Sequence, residues 1–348
     1  MMKTIEVKTP SMKGKIYIGR DAVELRLPLL TAGKQCFVVT DSNVYSLYTD
    51  WFKRYFSGTE IFVLPAGEEN KNFQSLQAVL EKMAGAGMRR NACLFAVGGG
   101  VVGDLGGLCA ALYMRGIDYV QIPTTLLAQV DSGVGGKTAV DLGGVKNVVG
   151  AFYQPREVLI DPAFLSTLPD REIKCGLGEI VKYAALSGEI FDLLESNCTR
   201  WTDVEFLENL IALCVEYKAR VVERDEKETG ERRCLNIGHT TGHAIELSTG
   251  LSHGESVLYG MLLETKMAIT AGVCEKSYGE KLLSLIKYAM AIEPVERVEL
   301  TQFSQAAEKA RFDKKNTEED KITMAVAKKR GAWTTLTLSF EEYKKSLL

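Results

Sequence analysis

The chain has 348 residues, of which 46% are hydrophobic and 25% charged, and its formal net charge is −3. This length suits two domains or one large α/β domain. The slight negative charge gives no general electrostatic reason to expect nucleic acid or an anionic membrane as a partner. Any anion-binding site must therefore use local Lys and Arg side chains.

Targeting signals and a disulfide framework are not evident. The N-terminal residues lack the apolar core of a signal peptide, and no apolar run is long enough to span a bilayer. The eight cysteines contain no C-x-x-C pair, which is typical of reduced thiols in a protein core. We therefore expect a cytoplasmic protein with a small-molecule ligand and no nucleic-acid or membrane partner.

The first part of the chain alternates strands and helices. Short apolar runs predict strands at KIYIG, CFVVTDSN, EIFVLPAG, CLFAVGGG, YVQIPTT and EVLIDP. Helical periodicity with a glycine stop predicts a helix at FQSLQAVLEKMAGAG. This alternation implies a mostly parallel sheet covered by helices on both faces, a Rossmann-like domain over residues 1–161.

Long helical patterns dominate the rest of the chain. They predict helices at REIKCGLGEIVKYAALSG, FLENLIALCVEYKARVVERDEKE and ESVLYGMLLETKMAITAG, with a short β signal at KITMAVAKKRGAWTTLTLS. The predicted fold class is therefore α/β, with an N-terminal Rossmann-like parallel-sheet domain and a mainly α-helical domain over residues 162–348.

A glycine-rich loop, AVGGGVVGDLGG, follows a predicted strand and opens a predicted helix. Gly98, Gly100 and Gly103 fit G-x-G-x-x-G, and backbone amides at such a helix start suit a pyrophosphate. The ribose-binding acid should end the next strand, whereas Asp118, at the right spacing, begins that strand. The standard fingerprint therefore fails, and a packing or turn role for these glycines stays open.

Two further segments hold polar side chains near predicted strand ends. PAGEENK, residues 65–71, places acids and a lysine where ligands collect in open α/β sheets. PTTLLAQVDSGVGGKTAVDLGGVKN is predicted to be a glycine-rich loop, and its Lys and Asn side chains suit an anionic oxygen ligand. A solvated turn and a flexible surface loop are the respective alternatives.

All three histidines of the chain fall within GHTTGHAIELSTGLSHGE, residues 238–255. His239 and His243 are four residues apart and would share one face of a helix, and His253 precedes a new helix. Glu179 is the best third ligand, since a carboxylate on its apolar helix would be buried and need a partner. A His₂Glu set with an open position is a catalytic zinc pattern, while satisfied core or surface histidines are the alternative.

Together these motifs resemble the 3-dehydroquinate synthase family of the sugar phosphate cyclases. The resemblance runs from TDSN to DKK, and it rests on PAGEENK, GGGVVGDLGG, PTTLLAQVDSGVGGKTAVD, GLGEIVKYA, LNIGHTTGHAIE and HGESV. It implies an N-terminal domain for NAD and a helical domain for Zn²⁺ or Co²⁺. The implied metal ligands are Glu179, His239 and His253, with His243 facing the substrate.

The resemblance also assigns residues to the cofactor and the substrate. The implied NAD-site residues are Asp41, Glu68, Lys71, Gly99, Gly100, Val101, Asp104, Thr124, Thr125, Asp131, Lys137, Lys146 and Thr167. The implied catalytic and substrate-binding residues are Lys137, Lys146, Asn147, Lys182, Lys218, Glu228, Arg232, Asn236, His243 and Arg115, with Asp131 also near the substrate. Arg115 would reach across a homodimer interface.

The implied activity is that of a NAD- and metal-dependent lyase of the shikimate pathway. It converts 3-deoxy-D-arabino-heptulosonate 7-phosphate to 3-dehydroquinate and phosphate by transient oxidation, phosphate elimination, re-reduction and intramolecular aldol cyclisation. The phosphate would be bound by Lys137, Asn147 and His243. The carboxylate would be bound by Lys218, Arg232 and Asn236.

Three other functions are considered. One is a different sugar phosphate cyclase, of the 2-deoxy-scyllo-inosose or valiolone type, whose substrates lack the carboxylate. The others are a metal-dependent polyol dehydrogenase of the glycerol dehydrogenase type and a non-catalytic nucleotide-binding protein. The chain departs from the family pattern at Asp141 (commonly Asn), Gly133 (often Ser) and Gly178 (usually Ala), changes expected to affect local loop conformation rather than chemistry.

Overall fold

The computed structural model describes residues 2–292, 298–311 and 320–347. Two compact units are present: residues 1–168 with 207–227, and residues 169–206 with 228–348. The division is therefore discontinuous along the chain, whereas we predicted a single boundary after residue 161. The DKK motif, residues 313–315, lies outside the described residues.

The predicted strands and helices occur in the predicted order, together with others that the sequence did not predict. The strands are β1 (Lys3–Lys8), β2 (Lys13–Ile18), β3 (Cys36–Asp41), β4 (Glu60–Leu64), β5 (Cys93–Gly98), β6 (Asp118–Pro123), β7 (Lys137–Leu142), β8 (Val145–Phe152), β9 (Glu157–Ile160), β10 (Lys321–Lys329) and β11 (Ala332–Ser339). The helices are α1 (Ala22–Thr31), α2 (Ser42–Leu47), α3 (Thr49–Tyr55), α4 (Phe73–Gly85), α5 (Gly100–Leu112), α6 (Asp170–Leu186), α7 (Gly188–Ser196), α8 (Val204–Arg224), α9 (His239–Thr249), α10 (His253–Thr270), α11 (Lys276–Ile292), α12 (Leu300–Arg311) and α13 (Phe340–Leu347).

The first unit is built on a seven-stranded sheet with the order β1-β2-β9-β6-β5-β3-β4. Only β1 pairs antiparallel within it. Successive residues of β3 are buried on opposite faces: Phe37 packs in a core with α4 and α5, and Val38 packs in a second core with α1, α2 and α3. Both faces of the sheet are thus covered, which confirms the predicted fold class for this unit.

The carboxyl ends of β3, β5 and β6 lie side by side. These strands end at Asp41, Gly98 and Pro123, and β5 pairs with both of the others. Because β4 lies on the far side of β3 from β5, the strand order reverses between β3 and β5. Ligands of open α/β sheets bind at such a reversal, outside the carboxyl ends of the strands.

The segment predicted as a glycine-rich loop contains a β-hairpin, which corrects that prediction. Strands β7 and β8 pair antiparallel, with Val140 opposite Val149 and an irregularity between Val140 and Leu142. Gly143 and Gly144, at φ 59° and 77°, form the two-residue connection. Two consecutive positive φ angles match the twist of a tight hairpin, and glycine adopts them without strain.

The second unit is mainly helical, as predicted, with β10 and β11 forming a two-stranded sheet. Helix α6 is buried at every position from residue 173 to 186. Helix α10 begins with a capping box in which Ser252 and Glu255 satisfy each other's backbone amides. None of the helices in the described ranges combines the length and hydropathy that crossing a bilayer requires.

Candidate functional site

Glu179, His239 and His253 come together in the second unit. Their potential ligand atoms all lie within 4.8 Å of one another. Nε2 of His253 is 3.0 Å, and Nε2 of His239 is 3.3 Å, from Oε1 of Glu179. Each histidine is the first residue of its helix and Glu179 lies within α6, so three helices supply the set.

The other nitrogen of each imidazole is also hydrogen-bonded. Nδ1 of His239 lies 3.0 Å from the carbonyl oxygen of Ile237, and Nδ1 of His253 lies 3.2 Å from Oε2 of Glu246. Acceptors at Nδ1 hold the ring with Nε2 available as a ligand, as is usual for metal-bound histidines. The residues therefore fit a divalent metal that accepts nitrogen and carboxylate ligands.

The charges around this set favour an ionised carboxylate. Burial raises the pKa of Glu179, but Lys182, His239 and His253 together hold it well below its usual range. Burial lowers the pKa of His239. Burial also acts to lower the pKa of His253, but Glu179 and Glu246 outweigh it and raise that pKa to about 10. A metal would therefore replace a proton on His253.

A second group, His243, Glu246 and His253, meets the same distance criterion. Its members are only half-buried, whereas Glu179 and His239 are buried, so the first group is better shielded from water. Glu246 was not among the residues predicted from the sequence. Its position three residues after His243 on α9 was an available signal, because that spacing places both side chains on one helix face.

The other predicted residues of the second unit occupy two places. Lys182 is buried one helical turn after Glu179 and pairs with its carboxylate. Arg232 is 1% exposed and lies in a short 3₁₀ helix at Glu231–Asn236. Nδ2 of Asn236 donates to Oε1 of Glu228 at 2.5 Å, which ties the end of this short helix to a residue that precedes its start.

The first unit contains a buried lysine with two acceptors. Nζ of Lys71 lies 2.5 Å from Oδ2 of Asp104 and 2.6 Å from Oδ1 of Asn147. Burial acts to lower the pKa of Lys71, but the nearby carboxylates, Asp104 foremost, outweigh it and raise that pKa. The structure thus joins two residues assigned to the cofactor with one assigned to the substrate.

The start of α5 combines features that suit an anionic ligand. Gly99 precedes the helix and offers no side chain to cap it. A Cβ placed on Gly100 would lie 3.3 Å from Oγ of Ser132. Among the described residues, the buried hydroxyls of Ser132 and Thr124 have no hydrogen-bond partner. Unsatisfied donors beside an uncapped helix start, at the carboxyl edge of the sheet, fit a phosphate-containing cofactor.

Most other predicted residues of this unit already have protein contacts. Asp41 caps α2 through the amides of Asn43 and Val44, at 2.9 and 3.0 Å. The Thr125 hydroxyl accepts a hydrogen bond from the backbone N–H of Ala128, and the Thr167 hydroxyl is hydrogen-bonded to that of Tyr48. Two ion pairs complete the set, Lys146 with Glu68 and Lys218 with Asp131. Asp118 begins β6 and pairs with Arg156, so it does not take the ribose-binding position.

The positions of three further predicted residues do not test the roles assigned to them. Val101 lies in the first turn of α5, and Lys137 is exposed at the start of β7. Arg115 is exposed in a short turn after α5. Their cofactor, substrate and interface roles stay predictions.

Comparisons with known proteins cover both halves of the chain. A model described as 3-dehydroquinate synthase N-terminal matches residues 61–175, and one described as 3-dehydroquinate synthase C-terminal matches residues 176–316. The 3-dehydroquinate synthase of Thermoanaerobacter pseudethanolicus is 43% identical over 321 residues, 89% of each chain.

Two solved cyclase structures are also similar. A 2-deoxy-scyllo-inosose synthase complexed with carbaglucose-6-phosphate, NAD⁺ and Co²⁺ is 25% identical, with a TM-score of 0.87 over 99% of both chains. A 2-epi-5-epi-valiolone synthase from Streptomyces hygroscopicus subsp. jinggangensis 5008, with NAD⁺ and Zn²⁺ bound, is 26% identical, with a TM-score of 0.84 over 97% of this chain and 96% of that one. The family models and the curated relative agree with the motifs, and the chain belongs to the 3-dehydroquinate synthase family of enzymes.

Proposed function

We propose that this enzyme converts 3-deoxy-D-arabino-heptulosonate 7-phosphate to 3-dehydroquinate and phosphate, as a NAD- and metal-dependent carbon–oxygen lyase. The observation that carries the proposal is the Glu179–His239–His253 set, with Glu179 and His239 buried and both histidine Nδ1 atoms hydrogen-bonded, in a chain of this family. We propose a homodimer in the cytoplasm, acting in the shikimate pathway.

The second unit would hold a divalent metal, Zn²⁺ or Co²⁺, at these three side chains. When bound, the metal supplies Lewis acidity to a substrate hydroxyl, and NAD supplies reversible hydride acceptance. Similar cyclases have been solved with NAD⁺ and either metal, which supports this choice. Lys182 would keep Glu179 ionised, since its ammonium offsets the cost of burying the carboxylate.

The substrate carboxylate would be bound by Arg232 and Asn236. A planar guanidinium can donate two parallel hydrogen bonds to a carboxylate, and Glu228 orients the Asn236 amide. His243 would donate a hydrogen bond to a phosphate oxygen. Because Arg232 is buried, water would compete less for its hydrogen bonds to the carboxylate, which favours substrates that carry this group.

The first unit would bind NAD at the start of α5. Backbone amides at Gly99 and Gly100, with the Thr124 hydroxyl, would face its phosphates. Lys71, held by Asp104, would orient Asn147 towards the substrate phosphate, with Lys137 as a further cation. Because NAD is regenerated in each turnover, this binding must keep the cofactor in place and exclude water.

Support for the homodimer comes from the turn that carries Arg115. Leu112 and Met114 beside it are 52% and 50% exposed. Met114 and Arg115 have φ angles of 50° and 64°, a left-handed conformation that side-chain-bearing residues adopt at a cost. Exposed apolar side chains around a strained arginine favour a surface that a second copy covers.

The test is turnover of the heptulosonate phosphate by purified protein with NAD and Zn²⁺. We expect phosphate and 3-dehydroquinate in equal amounts, with no net NADH absorbance. Accumulation of NADH with a polyol would favour a dehydrogenase instead. Equal kcat/KM with a carboxylate-free sugar phosphate would favour another cyclase.

A further inference from the structure

We infer that Glu264 is a positioning residue that caps the first turn of α9 from the neighbouring helix α10 and so fixes His239 and His243. For its effect on turnover the inference rests on the proposed function. For its effect on metal binding it rests only on the geometry of the second unit.

The contacts of Glu264 are those of a helix cap. Its Oε2 accepts from the backbone N–H of Gly238 at 2.8 Å, and its Oε1 accepts from that of Thr241 at 2.8 Å. Both hydrogen bonds are buried, and Glu264 is 1% exposed. The first amides of a helix have no partner within it, and a carboxylate also interacts favourably with the positive end of the helix dipole.

Helix α9 cannot supply this cap from its own start. The residue before it is Gly238, which has no side chain, whereas Ser, Thr, Asp and Asn are the usual capping residues. Its φ of 76° is a left-handed conformation that favours glycine. The backbone conformation therefore favours glycine at position 238, and the capping oxygens come instead from Glu264 on α10.

Close packing of α9 and α10 brings the carboxylate within reach. A Cβ on Gly260 would collide with the carbonyl oxygen of Gly238, and a Cβ on Gly242 would lie 2.9 Å from the carbonyl oxygen of Ser256. The two backbones therefore touch. Glu264 follows Gly260 by four residues and lies on the same helix face, directed at the start of α9.

The two capped amides flank His239. Gly238 precedes this histidine and Thr241 follows it by two residues, so the cap fixes the backbone on both sides of it. His243 is one helical turn further on. If the carboxylate is lost, two buried N–H groups lose their acceptor, which favours fraying or a shift of this turn. Such a shift would move the Nε2 of His239 away from Glu179.

The experiment compares Glu264→Gln and Glu264→Ala with wild type in metal-depleted protein. Zn²⁺ affinity is measured by competition with a chromophoric chelator, and ligand geometry by the visible absorption of the Co²⁺-loaded protein. We expect Glu264→Ala to weaken Zn²⁺ binding about 10- to 100-fold, as loss of outer-shell partners does at other metal sites. We expect Glu264→Gln to lie between Ala and wild type, since its amide offers one acceptor oxygen, and both variants to show altered Co²⁺ spectra.

The matched control is Ser187→Ala, which removes the side-chain cap of α7 in the same unit. It should lower the melting temperature without changing Zn²⁺ affinity or the Co²⁺ spectrum. Folded Glu264 variants with wild-type affinity and spectrum would overturn the inference and leave Glu264 a stabilising residue only. If the Ala variant does not fold, the Gln variant decides. Wild-type protein that binds Zn²⁺ but does not turn over the heptulosonate phosphate would refute the proposed function alone.

Discussion

His253 contacts carboxylates through both ring nitrogens, with Glu179 at Nε2 and Glu246 at Nδ1. Replacing His253 would remove one ligand of the proposed metal set and the hydrogen-bond partner of Glu246. At the level of single side chains, the question is which of the two overlapping groups holds the ion.

The first prediction separates these groups. We expect purified His253→Ala and Glu179→Ala to lose their bound metal, and His243→Ala to keep it while losing activity, because His243 belongs only to the second group. Elemental analysis of each purified variant measures the metal directly. Metal loss from His243→Ala together with full metal content in Glu179→Ala would move the site to the His243 group.

The second prediction concerns Arg232. A hydrogen bond to a charged group contributes about 1.5–3 kcal/mol, so we expect Arg232→Ala to lower kcat/KM roughly ten- to a hundredfold. Steady-state kinetics with the heptulosonate phosphate measures this loss, and thermal melting shows whether the variant folds. Arg90→Ala, at an exposed arginine, is the control and should retain wild-type kcat/KM. A folded Arg232→Ala enzyme with unchanged kcat/KM would contradict the carboxylate assignment.

Single residues differ in how far the sequence predicts them. The three histidines could be singled out because histidine is scarce in this chain and they fall in one short segment, and Glu179 because it is a carboxylate on an apolar helix. Glu264 could not, because it accepts from backbone amides of another helix more than twenty residues earlier. Backbone donors are the same at every residue, so the sequence does not mark the ones that need a distant carboxylate.

At the scale of elements, the β7–β8 hairpin holds one residue in an unusual conformation. Oδ1 of Asp141 accepts from the amide of Asn147 at 2.7 Å, and the amide of Asp141 donates to the carbonyl oxygen of Lys71 at 2.8 Å. Asn147 has a φ of 52°. The Asp141 side chain therefore holds the backbone of Asn147, whose side chain accepts a hydrogen bond from Lys71.

The third prediction tests this support. Asp141→Asn keeps an acceptor oxygen at this position, so this variant should stay close to wild-type kcat/KM. Asp141→Ala loses the hydrogen bond, worth about 1 kcal/mol, and should lower kcat/KM by roughly fivefold or more through misplacement of Asn147. Equal kinetics for both variants would show that Asp141 does not position Asn147.

The fourth prediction concerns the contact between α6 and α10. A Cβ on Gly178 would lie 2.5 Å from the carbonyl oxygen of Gly254, between the helices that carry Glu179 and His253. We expect Gly178→Ala to destabilise the protein by about 1–3 kcal/mol, as overpacking does, and to weaken Zn²⁺ binding. Urea unfolding and chelator competition measure the two effects.

Gly85→Ala provides the control for this change. Gly85 is the last residue of α4, and no atom lies within 4 Å of a Cβ placed there. Its replacement should be neutral or slightly stabilising, since alanine favours a helix by about 1 kcal/mol over glycine. If Gly178→Ala left stability and Zn²⁺ affinity unchanged, as expected for Gly85→Ala, α6 and α10 would be able to move apart without a cost in free energy.

Elements were predictable where one pattern dominated. Apolar runs marked β3 and β5, and long periodic segments marked α6 and α10. The β7–β8 hairpin was missed because its glycines and lysines gave loop signals, and because Leu142, Val145 and Val148 are exposed rather than buried. These residues therefore do not form the alternating buried pattern from which strands are normally predicted.

At the scale of the whole molecule, the fifth prediction concerns two copies of the chain. If Arg115 serves the partner's site, Arg115→Ala and His239→Ala chains should each be inactive alone but recover activity when mixed. A heterodimer would then hold one intact site, with its metal ligands from one chain and its arginine from the other. Phosphate release measures recovery, and native mass spectrometry shows that heterodimers have formed. Heterodimers without activity would make Arg115 a residue of its own subunit.

The fold class was predictable at this scale, because βα alternation followed by long helices is visible along the sequence. The discontinuous division into two units was not. Residues 207–227 of α8 and the turn after it belong with the first unit although they follow helices α6 and α7 of the second. The amphipathic pattern of α8 shows that one face is buried, but it does not say which core buries that face.

The contact between α6 and α10 also provides a natural chemical reporter. Sγ of Cys175 accepts from the amide of Gly254 at 3.3 Å, so the thiol is covered by the start of the helix that carries His253. A reagent such as iodoacetamide could reach it only while that turn is detached from α6. The alkylation rate of the peptide containing Cys175, followed by mass spectrometry on unmodified protein, would therefore time this opening. A bound metal that holds His253 and Glu179 together should slow the reaction, which makes occupancy readable without an assay of turnover.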